Sequence, residues 1–255
     1  IIGVGHMGGA IAKALLKKGK SIWVGARHKP NLQKVTWVKD NGEIAKHVDI
    51  LIIAVKPFDI EKVLTEIASH LHKNHIIISV AAGVRLKQLS KWSNGHKKIV
   101  RVMPNMPAQV LQSVSLWQAT KSLSSKEKNE VKKLITSFGS AFEVVNEDQI
   151  DIGTTASGCG PAYVAAFLEC LEHGALNAGF SKDQARTLAL ETVKGSIAYM
   201  EETGIGFDAL KNAVQTKGGI TEAVFKVLKK KKWQETLEEG FKAGIKRAQH
   251  MAKGK

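Results

Sequence analysis

The sequence predicts an α/β fold in two parts: alternating strands and helices over residues 1–146, then an all-helical region over 147–255. Three observations predict it. Short apolar runs alternate with helix-like stretches through the first half. A Gly-x-Gly-x-x-Gly loop follows the first of those runs. Strand signals stop near residue 147, and helical periodicity replaces them.

"IIGVG" at 1–5 is a strand, and 7–18 has the pattern of a helix. "SIWVGA" (21–26), "DILIIAV" (49–55), "HIIISVA" (75–81) and "KIVRVM" (98–103) follow as apolar runs. Continuous apolar runs suit strands buried on both faces, hence a parallel sheet covered by helices. The runs at 113–119 and 140–145 flank a helix near 124–138 and extend the sheet. Since Ile1 already lies inside a strand pattern, the natural start is expected a few residues upstream.

In the second half, 151–178 is helical in pattern, with a break or kink expected at Gly158, Gly160 and Pro161. Ser181 and Gln184 form a capping box for a helix that ends near Gly204. Trp233, Leu237, Phe241, Ile245 and Ala248 make one apolar stripe at helical spacing. Core packing is the favoured reading of that stripe, and a subunit interface the other.

Bulk properties narrow the class. A chain of 255 residues with 44% hydrophobic and 24% charged residues is long enough for a real core. No apolar run approaches the ~20 residues that cross a bilayer. The net charge of +15 is spread along the chain, and the one dense run, Lys229–Lys232, is short. No nucleic-acid motif accompanies it, so the charge reads as solvated surface that steers anionic ligands. Cys159 and Cys170 would lie roughly 16 Å apart on one helix, too far for a disulfide. Free thiols and a reducing, cytoplasmic setting are expected. His70, His72 and His75 lack companion ligands at metal spacing, so they read as surface histidines and no metal site is predicted.

The glycine loop carries the first chemistry. Gly3, Gly5 and Gly8 follow a strand and open a helix. In that context the first glycine permits a tight turn, the second a close pyrophosphate, and the third close helix–strand packing. The helix N-terminus offers free N–H groups to phosphate. An NAD site wants a carboxylate about twenty residues on. Here the second run ends Ala26-Arg27-His28-Lys29, with no carboxylate. That favours NADP, with Arg27 as the charge partner of the 2′-phosphate, over a merely solvated Arg27. Lys56 ends the next strand, and Ala81-Ala82-Gly83 the one after, where small residues suit a flat ring.

A second glycine pair, "TKGGITEAV" at 216–224, precedes another helix. The bland reading is a turn followed by a helix with Thr221 as its N-cap. The functional reading uses the same physics: free N–H groups, a hydroxyl and Lys217 make an anion site for a substrate carboxylate.

The stretches "IGVGHMGGA", "AVKP", "SVAAGV", "RVMPNMPA", "SGCGPAYV" and "GGIT" stand in the order and spacing of one family. The chain resembles the pyrroline-5-carboxylate reductases over essentially its whole length. The resemblance implies a Rossmann-like domain followed by an all-helical C-terminal dimerisation domain. It implies NADPH as cofactor, a cyclic imino acid as substrate, and a homodimer that assembles further, with a decamer as one form. Carried onto this sequence, cofactor contacts fall on Ile2, Gly3, Val4, Gly5, His6, Met7, Ala26, Arg27, Asn41, Ala54, Val55, Lys56, Pro57, Val80, Ala81 and Ala82. Substrate contacts fall on Glu147, Gly218, Gly219, Ile220 and Thr221, with Thr221 also the catalytic position. Ser157 to Tyr163 form the turn beside the reacting ring. The family usually has Ser-Pro before the glycine pair, where this chain has Thr216-Lys217, and Ala213 replaces a common Asn.

The implied reaction is hydride transfer from NADPH to the C=N carbon of 1-pyrroline-5-carboxylate. The imine nitrogen arrives protonated, which agrees with the lack of an evident nucleophile–base constellation. Two other readings stand beside it. A β-hydroxyacid dehydrogenase would want a catalytic lysine in the helical region, for which Lys194 is available. A non-catalytic protein that senses dinucleotides or binds nucleic acid is the other.

Overall fold

The computed structural model describes residues 1–252. In chain order the first elements are α1 (His6–Lys17), β1 (Trp23–Gly25), β2 (Thr36–Val38), α2 (Asn41–Ala45) and β3 (Ile50–Ile53). Next come α3 (Ile60–Ile67), β4 (Ile76–Ser79), α4 (Leu86–Trp92) and β5 (Ile99–Met103). β6 (Ser113–Ala119), α5 (Ser125–Ile135), β7 (Gly139–Glu143) and α6 (Glu147–Ala156) follow. The rest is helical: α7 (Gly160–Asn177), α8 (Lys182–Thr203), α9 (Phe207–Val214), α10 (Ile220–Lys230) and α11 (Trp233–Ala252).

The predicted first strand is reduced to a bridge at Ile2, which pairs in parallel with Gly25 on one side and Ile53 on the other. Ile2 thereby joins β1–β2 to the five strands β3-β4-β5-β6-β7. The chain leaves Ile2 toward β1 and later returns to β3 on its other side. That reversal of strand order opens a crevice at the carboxyl ends of the strands.

The expected parallel sheet is mixed: β6 runs antiparallel to β5, with Met103 opposite Leu116. The connection 104–112 explains this. It is a 3-10 turn, Met106–Val110, ended by Leu111 at φ 64°, and it is too short for a helical crossover. Apolar runs specify burial but not direction.

Both faces of the sheet are covered, as continuous apolar runs require. Ile52, Ile78, Val100 and Val102 pack with Ala10–Leu15 of α1 and with Val131 and Ile135 of α5. Leu51, Ile53, Ile77 and Ile99 pack with Ile44, Leu89 and the α3 stripe Ile60, Val63, Leu64, Ile67. Each such isoleucine, fully buried, contributes roughly 1.5–3 kcal/mol.

One correction falls among the histidines. His75 is fully buried rather than exposed. Its Nε2 meets the Ala45 carbonyl at 2.9 Å, and its Nδ1 accepts the His72 N–H at 2.9 Å. Both ring nitrogens are used, so a neutral imidazole fits where a hydrophobic residue was not required.

Two compact units emerge: Ile1–Pro161 with the chain from Gly244 onward, and Ala162–Ala243. In the second unit the capping box at Ser181 and the αL Gly204 bound α8 as the sequence predicts. The break before Pro161 also occurs, between α6 and α7. Few side chains of this unit are buried, among them Ala185 and Ala189. Phe167, Phe180, Tyr199 and Leu237 are about half exposed. With Trp233 41% and Leu237 48% exposed, that part of the predicted stripe is not core among the described residues of one chain. No helix among the described residues is long and apolar enough to cross a membrane.

Candidate active site

The first glycine loop has the geometry its sequence asks for. Gly3 has φ 93°, and a Cβ there would lie 2.8 Å from the backbone of Ala54 and Val55. Gly8 sits against the Gly3 carbonyl, so α1 starts in contact with the strand end. At Gly5 a Cβ would meet nothing within 4 Å. That open space lies in front of the α1 N-terminus. The helix has no side-chain cap and no acid in its first turn. The first N–H to bond back is that of Gly9, to Gly5. The N–H groups of the first turn are left for an anion.

The other expected cofactor residues collect around the same strand ends. Ala54 N–H bonds to Ile2 O at 2.8 Å, and Val80 N–H to Ile53 O at 3.1 Å. These bonds align Ile2–Met7, Ala54–Pro57 and Val80–Ala82. Ala26 is tied by Trp37 Nε1 at 3.1 Å. Asn41 opens α2 with its Oδ1 close over Gly25, and its Nδ2 reaches Glu66 at 3.2 Å. The Arg27 guanidinium is 85% exposed and 3.8 Å from Asp59. So exposed a pair holds it weakly, which leaves it free to meet a phosphate. Lys56 is exposed just before the turn Pro57–Asp59.

The second loop lies in the other unit. Gly218 has φ 73°, which glycine adopts without strain. The N-cap of α10 is Gly219 rather than Thr221, and it has no side-chain cap. Thr221 sits in the first turn, half-buried. The two glycine N–H groups are already engaged. Gly219 donates to Thr216 O at 3.0 Å, and Gly218 to Glu222 Oε2 at 2.7 Å. Ala223 is the first to bond back, to Gly219. The N–H groups of Ile220, Thr221 and Glu222 precede that first bond, and first-turn donors of this kind suit an anion.

Sequence reasoning missed a charge network in the first unit. Arg101, in the middle of β5, is 2% exposed in its side chain and pairs with Asp151, which is 4% exposed. Arg85 reaches Asp151 at 2.9 Å and Asp148 at 2.6 Å. Glu147 Oε1 accepts from Leu86 N–H at 2.8 Å and from Arg101 at 3.3 Å. The only signal was an arginine inside an apolar strand run, which demands a buried partner. Nearby, Asn105 Nδ2 donates to Ser157 O at 3.0 Å, and its Oδ1 accepts Val114 N–H at 2.9 Å. That side chain fixes the end of α6 against the start of β6.

The comparisons with known proteins agree with this layout. Residues 147–251 match the family described as pyrroline-5-carboxylate reductase dimerisation, and residues 1–83 the family described as NADP oxidoreductase, coenzyme F420-dependent. The pyrroline-5-carboxylate reductase of Escherichia coli K12 is 33% identical over 99% of this chain and 97% of its own length. The chain belongs to the pyrroline-5-carboxylate reductase family. Another member, from Synechocystis, is 34% identical over 99% of this chain and 97% of its own. The crystal structure of the Plasmodium falciparum pyrroline carboxylate reductase with NADP bound superposes with a TM-score of 0.89. It is 30% identical and covers 98% of this chain and 96% of that one. As a family member the chain is an NADP-dependent oxidoreductase acting on CH–NH, built as a Rossmann-like domain and a helical dimerisation domain. Lys194, the lysine a dehydrogenase would use, is exposed in the single chain and pairs with Glu191 at 3.3 Å.

Proposed function

We propose that this protein reduces the C=N bond of 1-pyrroline-5-carboxylate with NADPH, giving proline. The observation that carries the reading is the match along nearly the whole of both chains, which takes in both glycine loops. The first-turn N–H groups of α1 hold the pyrophosphate, with Gly5 leaving the room, and Arg27 meets the 2′-phosphate. When bound, NADPH supplies the hydride. The small residues Ala81, Ala82 and Gly83 leave room for a flat ring at the strand end.

The α10 turn holds the substrate carboxylate through the N–H groups of Ile220 and Thr221, and the Thr221 hydroxyl stands nearest the ring nitrogen. The imine is already protonated, so the protein supplies position and charge rather than a strong acid. Glu147, tied to Arg101 and Leu86, fixes the start of α6. The helical region assembles the protein as a homo-oligomer, for which a dimer, and a decamer built from dimers, are the forms we propose in a cytoplasmic setting. The test is NADPH oxidation by the purified protein with and without pyrroline-5-carboxylate. Substrate-dependent oxidation with proline as product is expected. NADPH binding without turnover would overturn the assignment of substrate.

A further inference from the structure

The α10 turn contains an acid that the reaction does not use. We infer that Glu222 is a positioning residue, which sets the geometry of the carboxylate-binding turn without touching substrate. The inference rests on the function proposed above.

Glu222 lies in the first turn of α10, three residues past the N-cap Gly219. Gly219 has no side chain with which to cap the helix, so the reciprocal half of a capping box is missing. Glu222 reaches past the N-cap instead: its Oε2 accepts the N–H of the preceding residue, Gly218, at 2.7 Å. That bond holds Gly218 at φ 73°. Thr216 O takes the Gly219 N–H at 3.0 Å. Together they use up the two glycine donors, so the N–H groups left for a ligand begin with those of Ile220 and Thr221.

The placement of a negative charge beside a site for an anion needs a reason. Repulsion of the substrate carboxylate works against binding. Two features limit it. The carboxylate is bound to an N–H of the turn, and Lys226 Nζ stands 3.7 Å from Oε2. Its side chain is only 26% exposed, so the acid is folded back over the turn rather than extended into solvent. A hydrogen-bond acceptor at this position orders the turn, and its charge is incidental. Geometry and charge can therefore be separated.

The experiment compares Glu222→Ala and Glu222→Gln by steady-state kinetics with NADPH and pyrroline-5-carboxylate. Amide exchange at Gly218 is followed by mass spectrometry. Gln keeps an acceptor and loses the charge; Ala loses both. Glu222→Ala is expected to raise KM for the imino acid about fivefold to tenfold, with KM for NADPH and kcat little changed. Gly218 should exchange faster in the same variant. Glu222→Gln should restore KM to the parent value or below it. If Gln is as impaired as Ala, or if both match the parent, the positioning role is overturned. The parent enzyme's own turnover tests the function separately, so an inactive parent fails that reading and not the comparison of exchange rates.

Discussion

At the scale of single residues, the two glycine loops make two separable demands. Arg27 is 85% exposed and only loosely paired, so its loss should leave the fold intact. Arg27→Ala is expected to lower kcat/KM for NADPH on the order of tenfold while NADH kinetics stay unchanged. Equal losses with both cofactors would remove Arg27 from the 2′-phosphate. Thr221 makes the opposite demand. Thr221→Ala is expected to cut kcat/KM on the order of tenfold to a hundredfold, with NADPH affinity, read by fluorescence titration, unaffected. Normal kinetics would sink its role. His75 gives a pH dependence of stability. Burial lowers its pKa below the ordinary 6.5. Protonation would also cost Nδ1 its bond from the His72 N–H. The unfolded chain then binds the proton first, so stability is fully present above about pH 6.5 and falls as the pH drops below it. His96, bonded to His75 O and likewise lowered by burial, adds to the same slope. Urea midpoints between pH 7.5 and 5.5 should fall, and His75→Gln should flatten the curve.

At the scale of elements, what was legible depended on whether the signal was local. Each end of α8 is set by a local signal, the Ser181–Gln184 capping box at one and Gly204 at the other, and the sequence places that helix closely. The glycine pattern also predicted where α1 begins, because the turn and the helix start are one local motif. The direction of β6 was not legible, since an apolar run reads the same either way. Nor was the N-cap of α10: Thr has the better intrinsic propensity, but after the positive φ of Gly218 the helix starts earlier than Thr221, at Gly219. The Arg101 network was legible only as a question, because its answers lie about fifty residues further along the chain. Breaking it should be costly. Arg101→Met leaves Asp151 buried without its main partner and is expected to lose about 3–5 kcal/mol of stability, measured by urea unfolding. Arg101→Met with Asp151→Leu should recover much of that loss. A double variant no better than the single one would mean that packing, not charge, is what Arg101 supplies.

At the scale of the whole molecule, the second unit has a helical arrangement with little of its own interior. Phe167 is 54% exposed and Leu237 48%. Apolar surface of this kind marks association, and the match to the family's dimerisation region covers it. Phe167→Glu with Leu237→Glu is expected to yield monomers in analytical ultracentrifugation, with the Rossmann-like unit still able to bind NADPH. An unchanged oligomer would place the interface on other helices. The junction has a different lesson for anyone who would graft one half of this protein onto another. The match to the dimerisation region starts at residue 147, yet α6 is fastened to the sheet through Asp151, Arg101 and Arg85. A scissor placed at 147 would strand a buried cation and uncover Leu116, which Gly153 now approaches closely. The transplantable nucleotide-binding module is longer than its homology border, and it must carry α6 with it to stay soluble.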